Sequence, residues 1–219
     1  MKKKICVLFS IIISISNYAQ NFELPNELVR QKVLNNNIAK DVQGTPFYND
    51  AFLLGTIYIN DNKSFKAYLR YDAFNDEMQM KQNEDIKALS KFENDKVEID
   101  NSIYEVYSYF KDGSDQKGYF INLTKLGNTR LLMHKSKKFV EGVKAQNSYS
   151  TDKPPMFKDD ISYYLMKNDS LNLVALSKKN VLTLLEDKKK ELDTYISDNK
   201  LKLKHEDDFI QLISFYNSL

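Results

Sequence analysis

The sequence predicts an α+β fold: an antiparallel meander sheet, curved or partly closed, with C-terminal amphipathic helices packed on it. Three observations predict this fold. Between residues 44 and 143, short runs that alternate apolar and polar residues are separated by turn residues at hairpin spacing. The chain contains 14 Tyr and 13 Phe but only 6 Gly, and aromatic residues favour strands. Beyond residue 176, apolar residues recur at helical spacing instead.

The strand region is expected to run as consecutive hairpins. Residues 52–59 form the first run, and a polar turn leads into residues 65–71. The strongest run covers residues 103–110, which a glycine-containing loop connects to residues 119–123. Further strands are predicted at 78–81, 97–100, 131–135, 161–166 and 171–176. Because several runs are apolar on both faces, another layer is expected to cover the sheet.

Two helices are predicted at the C-terminal end, after a surface loop. The loop is expected at residues 144–160, which are polar and contain two consecutive prolines. Ser177 is suited to N-cap the first helix, and Asn199 to cap its C-terminus. The second helix is expected to begin at residues 206–208, because three acidic residues there favour the positive end of the helix dipole.

The first 19 residues have the three parts of a secretory signal peptide. A basic start precedes a short apolar core, and a small residue, Ala19, stands at the exit. The core is shorter than the roughly 20 apolar residues that a membrane span needs. We therefore expect cleavage after Ala19, export, and no transmembrane span in the mature chain. Residues 20–43 are expected to form a leader or a short helix after Pro25, and residues 44–219 a single domain.

The charge of the mature chain argues against nucleic acid as a partner. Three of the 32 basic residues lie in the predicted signal peptide, which leaves 29 basic and 30 acidic residues after cleavage. No overall positive charge then remains to attract nucleic acid. Cys6, the only cysteine, would leave with the signal peptide, so the mature domain would contain no disulfide and no thiolate metal site. No nucleotide-binding or phosphate-binding motif occurs, and no cofactor is expected.

Catalytic and metal signals are weak. The chain has 2 His and no G-x-S-x-G motif. A hydrolytic site assembled in space from separated acidic residues or from His134 stays open, because such triads do not depend on chain order. The weak calcium candidate is the cluster Asp72, Asn75, Asp76 and Glu77, which lacks the spacing of an EF-hand loop and is otherwise a solvated turn. No catalytic residue and no other metal site is predicted.

Aromatic residues are concentrated on the hairpin that covers residues 103–123. Tyr104, Tyr107, Tyr109 and Tyr119 are the candidate residues for binding a ligand or a partner. Side chains in such a hairpin most often form cross-strand pairs in a core. The functional alternative is an aromatic surface or concavity that binds an apolar ligand or a protein partner.

Three segments carry a resemblance to a known group of proteins. They read GTPFYND at residues 44–50, GTIYIND at 55–61 and LRYDAFNDEM at 69–78. Together they resemble an uncharacterised family of exported proteins from Bacteroidetes-type bacteria, as does the exit of the signal peptide, Tyr18-Ala19-Gln20. The resemblance implies a Gram-negative cell envelope, with the periplasm favoured and an outer-membrane-associated or extracellular place as alternatives. It carries no catalytic residues over.

These observations predict an exported cell-envelope protein that is non-catalytic and binds a protein partner or an apolar ligand. One alternative is a hydrolase that uses separated acidic residues or His134, and another is a structural or adhesion module. An enclosed apolar cavity would favour the ligand. A filled core with an exposed aromatic patch larger than a few hundred Å² would favour a protein partner.

Overall fold

The structure is a computed structural model that describes residues 24, 26–31, 41–60, 63–111, 113–124, 127–145 and 151–219. The predicted signal peptide and most of the predicted leader lie outside these residues. The described chain is α+β, as predicted: an eleven-stranded antiparallel sheet followed by three α-helices. The strands are β1 (Val29–Gln31), β2 (Leu53–Ile59), β3 (Lys63–Asp72), β4 (Glu77–Gln82), β5 (Asp85–Leu89), β6 (Lys96–Ile99), β7 (Ser102–Lys111), β8 (Ser114–Asn122), β9 (Arg130–Val140), β10 (Met156–Lys167) and β11 (Ser170–Val174).

Two meanders leave opposite sides of β2. Strands β2 to β5 form one meander, and β1 pairs with β5 at its outer edge. Strands β6 to β11 form the other meander, in which β6 pairs with the second side of β2. Within the described chain the outermost strands β1 and β11 do not pair with each other, so the sheet is not closed. Residues 90–95 carry the chain from β5 back to β6.

Asparagine and aspartate fix the register of two hairpins. Asp100 and Asn101 join β6 to β7 with φ values of 50° and 58°, and Asn168 and Asp169 join β10 to β11 with the same two values. A two-residue loop with two positive φ angles is a type I′ turn, whose twist matches that of the strands on either side. Asn and Asp tolerate this conformation better than other residues with a side chain, which explains why these pairs end the strands.

The β9–β10 hairpin extends further than the sequence predicts. The predicted surface loop at residues 144–160 contains the first residues of β10, which are paired with β9. Lys138 Nζ of β9 lies 2.9 Å from Asp160 Oδ2 of β10, and the rings of Phe139 and Phe157 meet with centroids 5.3 Å apart. Opposite charges and aromatic rings on neighbouring strands stabilise sheet pairing. The predicted loop is therefore too long, because the charges that suggest a loop in the sequence pair across the hairpin.

Residues 26–31, for which the sequence predicts a leader or a short helix, form a turn and a strand. Residues 26–28 form a single 3-10 turn, and β1 follows directly and pairs with β5. The Arg30 guanidinium of β1 also donates a hydrogen bond to the carboxylate of Glu77 on β4. The edge strand β5 offers backbone hydrogen-bond partners to this segment, and these outweigh its weak helical periodicity. The resulting strand β1 is only three residues long.

The helices begin and end close to the predicted residues, but the first one is interrupted. They are α1 (Lys178–Leu184), α2 (Lys189–Asp198) and α3 (Glu206–Tyr216), with a 3-10 turn at Glu186–Lys188 between α1 and α2. Ser177 Oγ accepts a hydrogen bond from the backbone N–H of Asn180, and Asn199 caps α2. The interruption leaves carbonyl groups at the end of α1 without helical partners, and Lys167 Nζ of β10 donates to one of them, the carbonyl of Leu184, at 3.2 Å.

Buried side chains form three clusters. The first cluster contains side chains from strands β2 through β8, among them Tyr71, Tyr104 and Tyr119. The second lies between the helices and β9 to β11, with Leu131 and Leu165 from the strands. The third is a small aromatic cluster formed by Tyr109, Phe120, Leu132 and Tyr164.

Candidate functional site

A groove of about 760 Å³ opens beside β7 and lies within the size range of ligand pockets. One wall is the loop that precedes β6. The other walls come from β7, from the start of β9 and from the turn between β10 and β11. Glu105, Tyr107 and Arg130 supply its central polar groups, and Met166 and Leu171 its apolar ones.

Glu105, Tyr107 and Arg130 form a connected polar group in this groove. Glu105 and Tyr107 stand two residues apart on β7, so they share one face of the strand. The Tyr107 hydroxyl donates a hydrogen bond to Glu105 and accepts one from Arg130 Nη1 at 2.9 Å. Arg130 Nη1 also lies 3.8 Å from Glu105 Oε2. Burial and the hydrogen bond to Glu105 raise the pKa of Tyr107 to about 12, so its hydroxyl stays protonated at neutral pH.

The aromatic cluster of the third core gives this polar group a rigid base. Tyr107, Met166 and Leu171 all pack against it. The rings of Tyr107 and Phe120 meet nearly edge to face, with centroids 5.9 Å apart. Aromatic rings in this arrangement restrain each other. The Tyr107 side chain is therefore positioned by packing as well as by its hydroxyl, and Arg130 remains 39% exposed.

Only one of the four predicted tyrosines lies in this groove. Tyr104 and Tyr119 are each 2% exposed in the first core cluster, and Tyr109 is 6% exposed in the third. Burial raises the pKa of Tyr104 and of Tyr119 above 10. The four tyrosines therefore do not form one accessible surface: Tyr104 points to the opposite face of β7 from Tyr107 and Tyr109, and Tyr109 is buried in the aromatic cluster. Tyr107 lines the groove.

The strands β8 and β9 diverge after a short paired segment, and the β3–β4 turn fills the gap. Only Ile121 and Asn122 of β8 pair with β9 in the described ladder. Further along, the Asp76 carboxylate from the turn accepts the N–H of Tyr119 at 3.2 Å, and Lys91 Nζ donates to the carbonyl of Lys117 at 2.8 Å. These side chains satisfy backbone groups of β8 that would otherwise lack a partner strand.

Asp76 is the centre of this inserted turn. Its carboxylate accepts a hydrogen bond from Lys91 Nζ at 2.7 Å, and the Tyr71 hydroxyl lies 2.7 Å from its other oxygen. Burial alone raises the pKa of Asp76, but His134 and Lys91 outweigh burial, so the pKa lies below 3.8. The carboxylate is therefore ionised and holds its donors at neutral pH.

His134 lies beside Asp76 and away from the groove. Its side chain is 4% exposed, and Nε2 is 3.7 Å from Asp76 Oδ1. Among the described residues, Nε2 is the buried side-chain nitrogen or oxygen without a hydrogen-bond partner. Its ring packs on Phe120 with centroids 4.9 Å apart. The described hydrogen bonds and ion pairs join His134 to no serine, so they do not assemble the Ser–His–acid order of a hydrolytic triad.

The predicted calcium cluster is used internally. Asp72 is 2% exposed and accepts hydrogen bonds from Asn75 and Gln79, while Asp76 is occupied as described above. Glu77 binds Arg30. Within the described residues, no group of three or more His, Cys, Asp and Glu side chains is arranged to hold a metal ion.

One crevice reaches into the apolar core, and it is very small. The crevice between Leu24, Ile57, Val97 and Val106 has about 10 Å³ of accessible volume, which is the scale of a single water molecule. An apolar ligand of ordinary size does not fit there. Apolar groups are instead exposed at the end of the β9–β10 hairpin, where Phe74 and Phe139 are 46% and 36% exposed.

Comparison with protein-family models, with curated proteins and with solved structures finds no match to this chain. The groove and the inserted turn therefore have to be interpreted from their own geometry. Across the described residues, no helix has the length and apolar character needed to cross a membrane.

Arg130 and Glu105 are groove residues that sequence reasoning missed. The alternation that places Glu105 beside Tyr107 is readable in the sequence. The contribution of Arg130 depends on a strand that pairs further along the sheet, and no local pattern signals it.

Proposed function

We propose that this chain is an exported, non-catalytic protein of a bacterial cell envelope and that it binds a protein partner in the groove beside β7. The observation that carries this proposal is the connected group of Tyr107, Arg130 and Glu105 in an open cleft. Tyrosine and arginine, together with tryptophan, are enriched at the energetic centres of protein interfaces. The partner surface would need polar groups that reach Arg130 and Tyr107.

The small volume of the crevice in the core favours a protein partner over an apolar ligand that would bind there. An apolar ligand needs an enclosed cavity, and the core crevice holds about 10 Å³. The hydrolase alternative receives less support, because His134 is buried against Asp76 and Phe120 and does not line the groove. The open groove also distinguishes this proposal from a purely structural or adhesive module, which needs no cleft.

We further infer that the sheet is curved and that its helices are amphipathic. Curvature accounts for the contact of the β3–β4 turn with β8 and β9, which lie far from it in strand order. Amphipathic helices account for the buried Leu192 and Ile196 in α2, whose other residues are largely polar, and for the exposed Gln211 and Ser214 on either side of the buried Leu212 and Ile213 in α3. The curved sheet would then leave the groove on the side away from the helices.

The compartment is part of the proposal and rests on the sequence alone. The predicted signal peptide and the resemblance to exported Bacteroidetes-type proteins support the periplasm of a Gram-negative bacterium. Purification from the native envelope tests compartment and binding together. The expected N-terminus is Gln20, because cleavage is expected after Ala19.

The binding test compares two arginine variants in the same purification. Arg130→Ala should abolish enrichment of a protein that copurifies with the wild-type chain, whereas Arg30→Ala, on the distant strand β1, should not. Thermal unfolding of both variants checks that they are folded. Equal enrichment with all three proteins would refute the groove as the binding site.

A further inference from the structure

One edge of β7 extends beyond its neighbour β6. β6 pairs with residues 102–105 of β7, whereas β7 continues to Lys111. On its other side, β7 pairs with β8 along its length to Lys111. Residues 106–111 therefore have a neighbouring strand on one side only, within the described chain.

The turn geometry tells which backbone groups face the open side. A two-residue hairpin loop makes the residues next to it a hydrogen-bonded pair, and the pattern then alternates. Starting from the β6–β7 turn, this rule directs the N–H and C=O groups of Val106, Ser108 and Phe110 toward the β6 side. Starting independently from the β7–β8 turn, where Lys111 pairs with Ser114, it gives the same result.

The outer edges of the β7–β8 hairpin differ in how their backbone groups are hydrogen-bonded. On the β8 edge, the Lys117 carbonyl and the Tyr119 N–H are satisfied by Lys91 and Asp76. On the β7 edge, among the described residues, no backbone hydrogen bond to another segment reaches Val106, Ser108 or Phe110. Val106 and Ser108 line the groove; Val106 is 4% exposed, whereas Ser108 and Phe110 are exposed, Phe110 to 69%, so the accessible part of the edge begins at Ser108.

We infer that an extended, basic peptide segment of a partner protein adds as a strand to this edge of β7; the inference rests on the proposed binding function. An unpaired strand edge is complementary to another extended backbone, and strand addition is an established mode of peptide recognition. The groove supplies room beside the edge for the side chains of the added strand. Tyr107 and Arg130 then contact side chains of the same segment.

The charge of the groove selects a basic segment. Its charged lining residues are four acids and two bases: Glu93, Asp95, Glu105, Asp169, Lys96 and Arg130. Because acidic side chains predominate, a lysine or arginine on the added strand is favoured over an acidic residue.

The test begins with peptides selected from a random phage-displayed library on the purified protein. Each selected peptide is resynthesised in two forms, with N-methyl groups on one or the other set of alternate residues. An added strand bonds the edge with one set of its N–H groups only. We expect a loss of affinity greater than tenfold for one methylated form and less than twofold for the other.

Two variants of the chain provide the reciprocal test. Ser108→Pro removes an outward N–H, while Ser108→Ala removes the same hydroxyl, which donates to Glu93, but keeps the N–H. The proline variant should bind at least fivefold more weakly than the alanine variant, as expected for one lost backbone hydrogen bond. If the proline variant fails to fold, the comparison of the methylated peptides still decides the question.

The outcomes separate this inference from the proposed function. Peptides that require Arg130 but tolerate both methylated forms would overturn strand addition and leave groove binding intact. Peptides that are sensitive to one methylated form but indifferent to Arg130→Ala would support strand addition and overturn the part of the proposed function that assigns binding to Arg130. Selection of acidic peptides, or dimerisation of the chain through this edge in place of peptide binding, would overturn the inference.

Discussion

Replacing Asp76 by asparagine removes the charge at the centre of the inserted β3–β4 turn. The variant keeps one oxygen for the Tyr119 N–H but directs an amide N–H₂ group at the Lys91 ammonium, which lies 2.7 Å from the wild-type carboxylate. A charge-assisted hydrogen bond contributes about 1.5–3 kcal/mol. Breaking a fully buried ion pair costs about 3–5 kcal/mol.

The expected loss for Asp76→Asn lies below the buried-pair figure. The side chains of Asp76 and Lys91 are 16% and 20% exposed, so water screens the pair in part. We expect the free energy of unfolding to fall by about 2 kcal/mol at pH 7. Urea denaturation followed by far-UV circular dichroism measures this change. Asp85→Asn, the same substitution at an exposed position on β5, is the matched control and should change stability by less than about 0.5 kcal/mol.

The pH dependence gives a second readout of the same substitution. The folded-state pKa of Asp76 lies below 3.8, so its contribution to stability is present above that pH and is lost as the pH falls through the folded pKa. The difference in unfolding free energy between wild type and Asp76→Asn should therefore shrink in acid. A difference that stays constant to acid pH, or a loss at pH 7 no larger than that of the control, would refute the role assigned to Asp76.

Three further substitutions test other parts of the structure. Gly118→Ala should lower the unfolding free energy by about 1–3 kcal/mol in urea denaturation, since its Cβ would lie 2.9 Å from a Tyr109 ring carbon; unchanged stability would contradict this close approach. Asn217→Ala should lower the unfolding free energy by about 2 kcal/mol in the same assay, because the Asn217 side-chain amide hydrogen-bonds both the N–H and the C=O of Thr129. A loss no larger than about 0.5 kcal/mol would show that these two hydrogen bonds contribute little. His134→Phe should raise the pKa of Asp76 in an NMR titration, because His134 lowers that pKa. The absence of an upward shift would show that His134 and Asp76 are not coupled.

Local signals in the sequence predict much of the fold. The Ser177 N-cap and the Asn199 C-cap each depend on neighbouring residues only, and they occur at the predicted positions. Short-range hydrogen bonding determines such features, so the residue type suffices to predict them.

Features that depend on distant partners are not predictable in this way. The segment Asp85–Leu89 is too polar to indicate a strand and forms one because β4 and β1 supply its ladder. In the sequence, Asp76 belongs to a cluster that could be part of a calcium-binding loop. In the structure, its carboxylate instead accepts a hydrogen bond from the backbone of β8. The groove likewise unites Tyr107 with Arg130 across two strands, so only the aromatic member was predicted.

Site-specific photo-crosslinking in living cells tests the central claim most directly. A benzoylphenylalanine replaces either Leu171, which lines the groove but lies outside the polar group, or Tyr68, a 57% exposed tyrosine on β3 outside the groove. We predict that position 171 forms an adduct with one envelope protein, that Arg130→Ala abolishes the adduct, and that position 68 forms none. Adducts of equal yield at both positions, or an adduct at position 68 alone, would contradict the groove as the binding site.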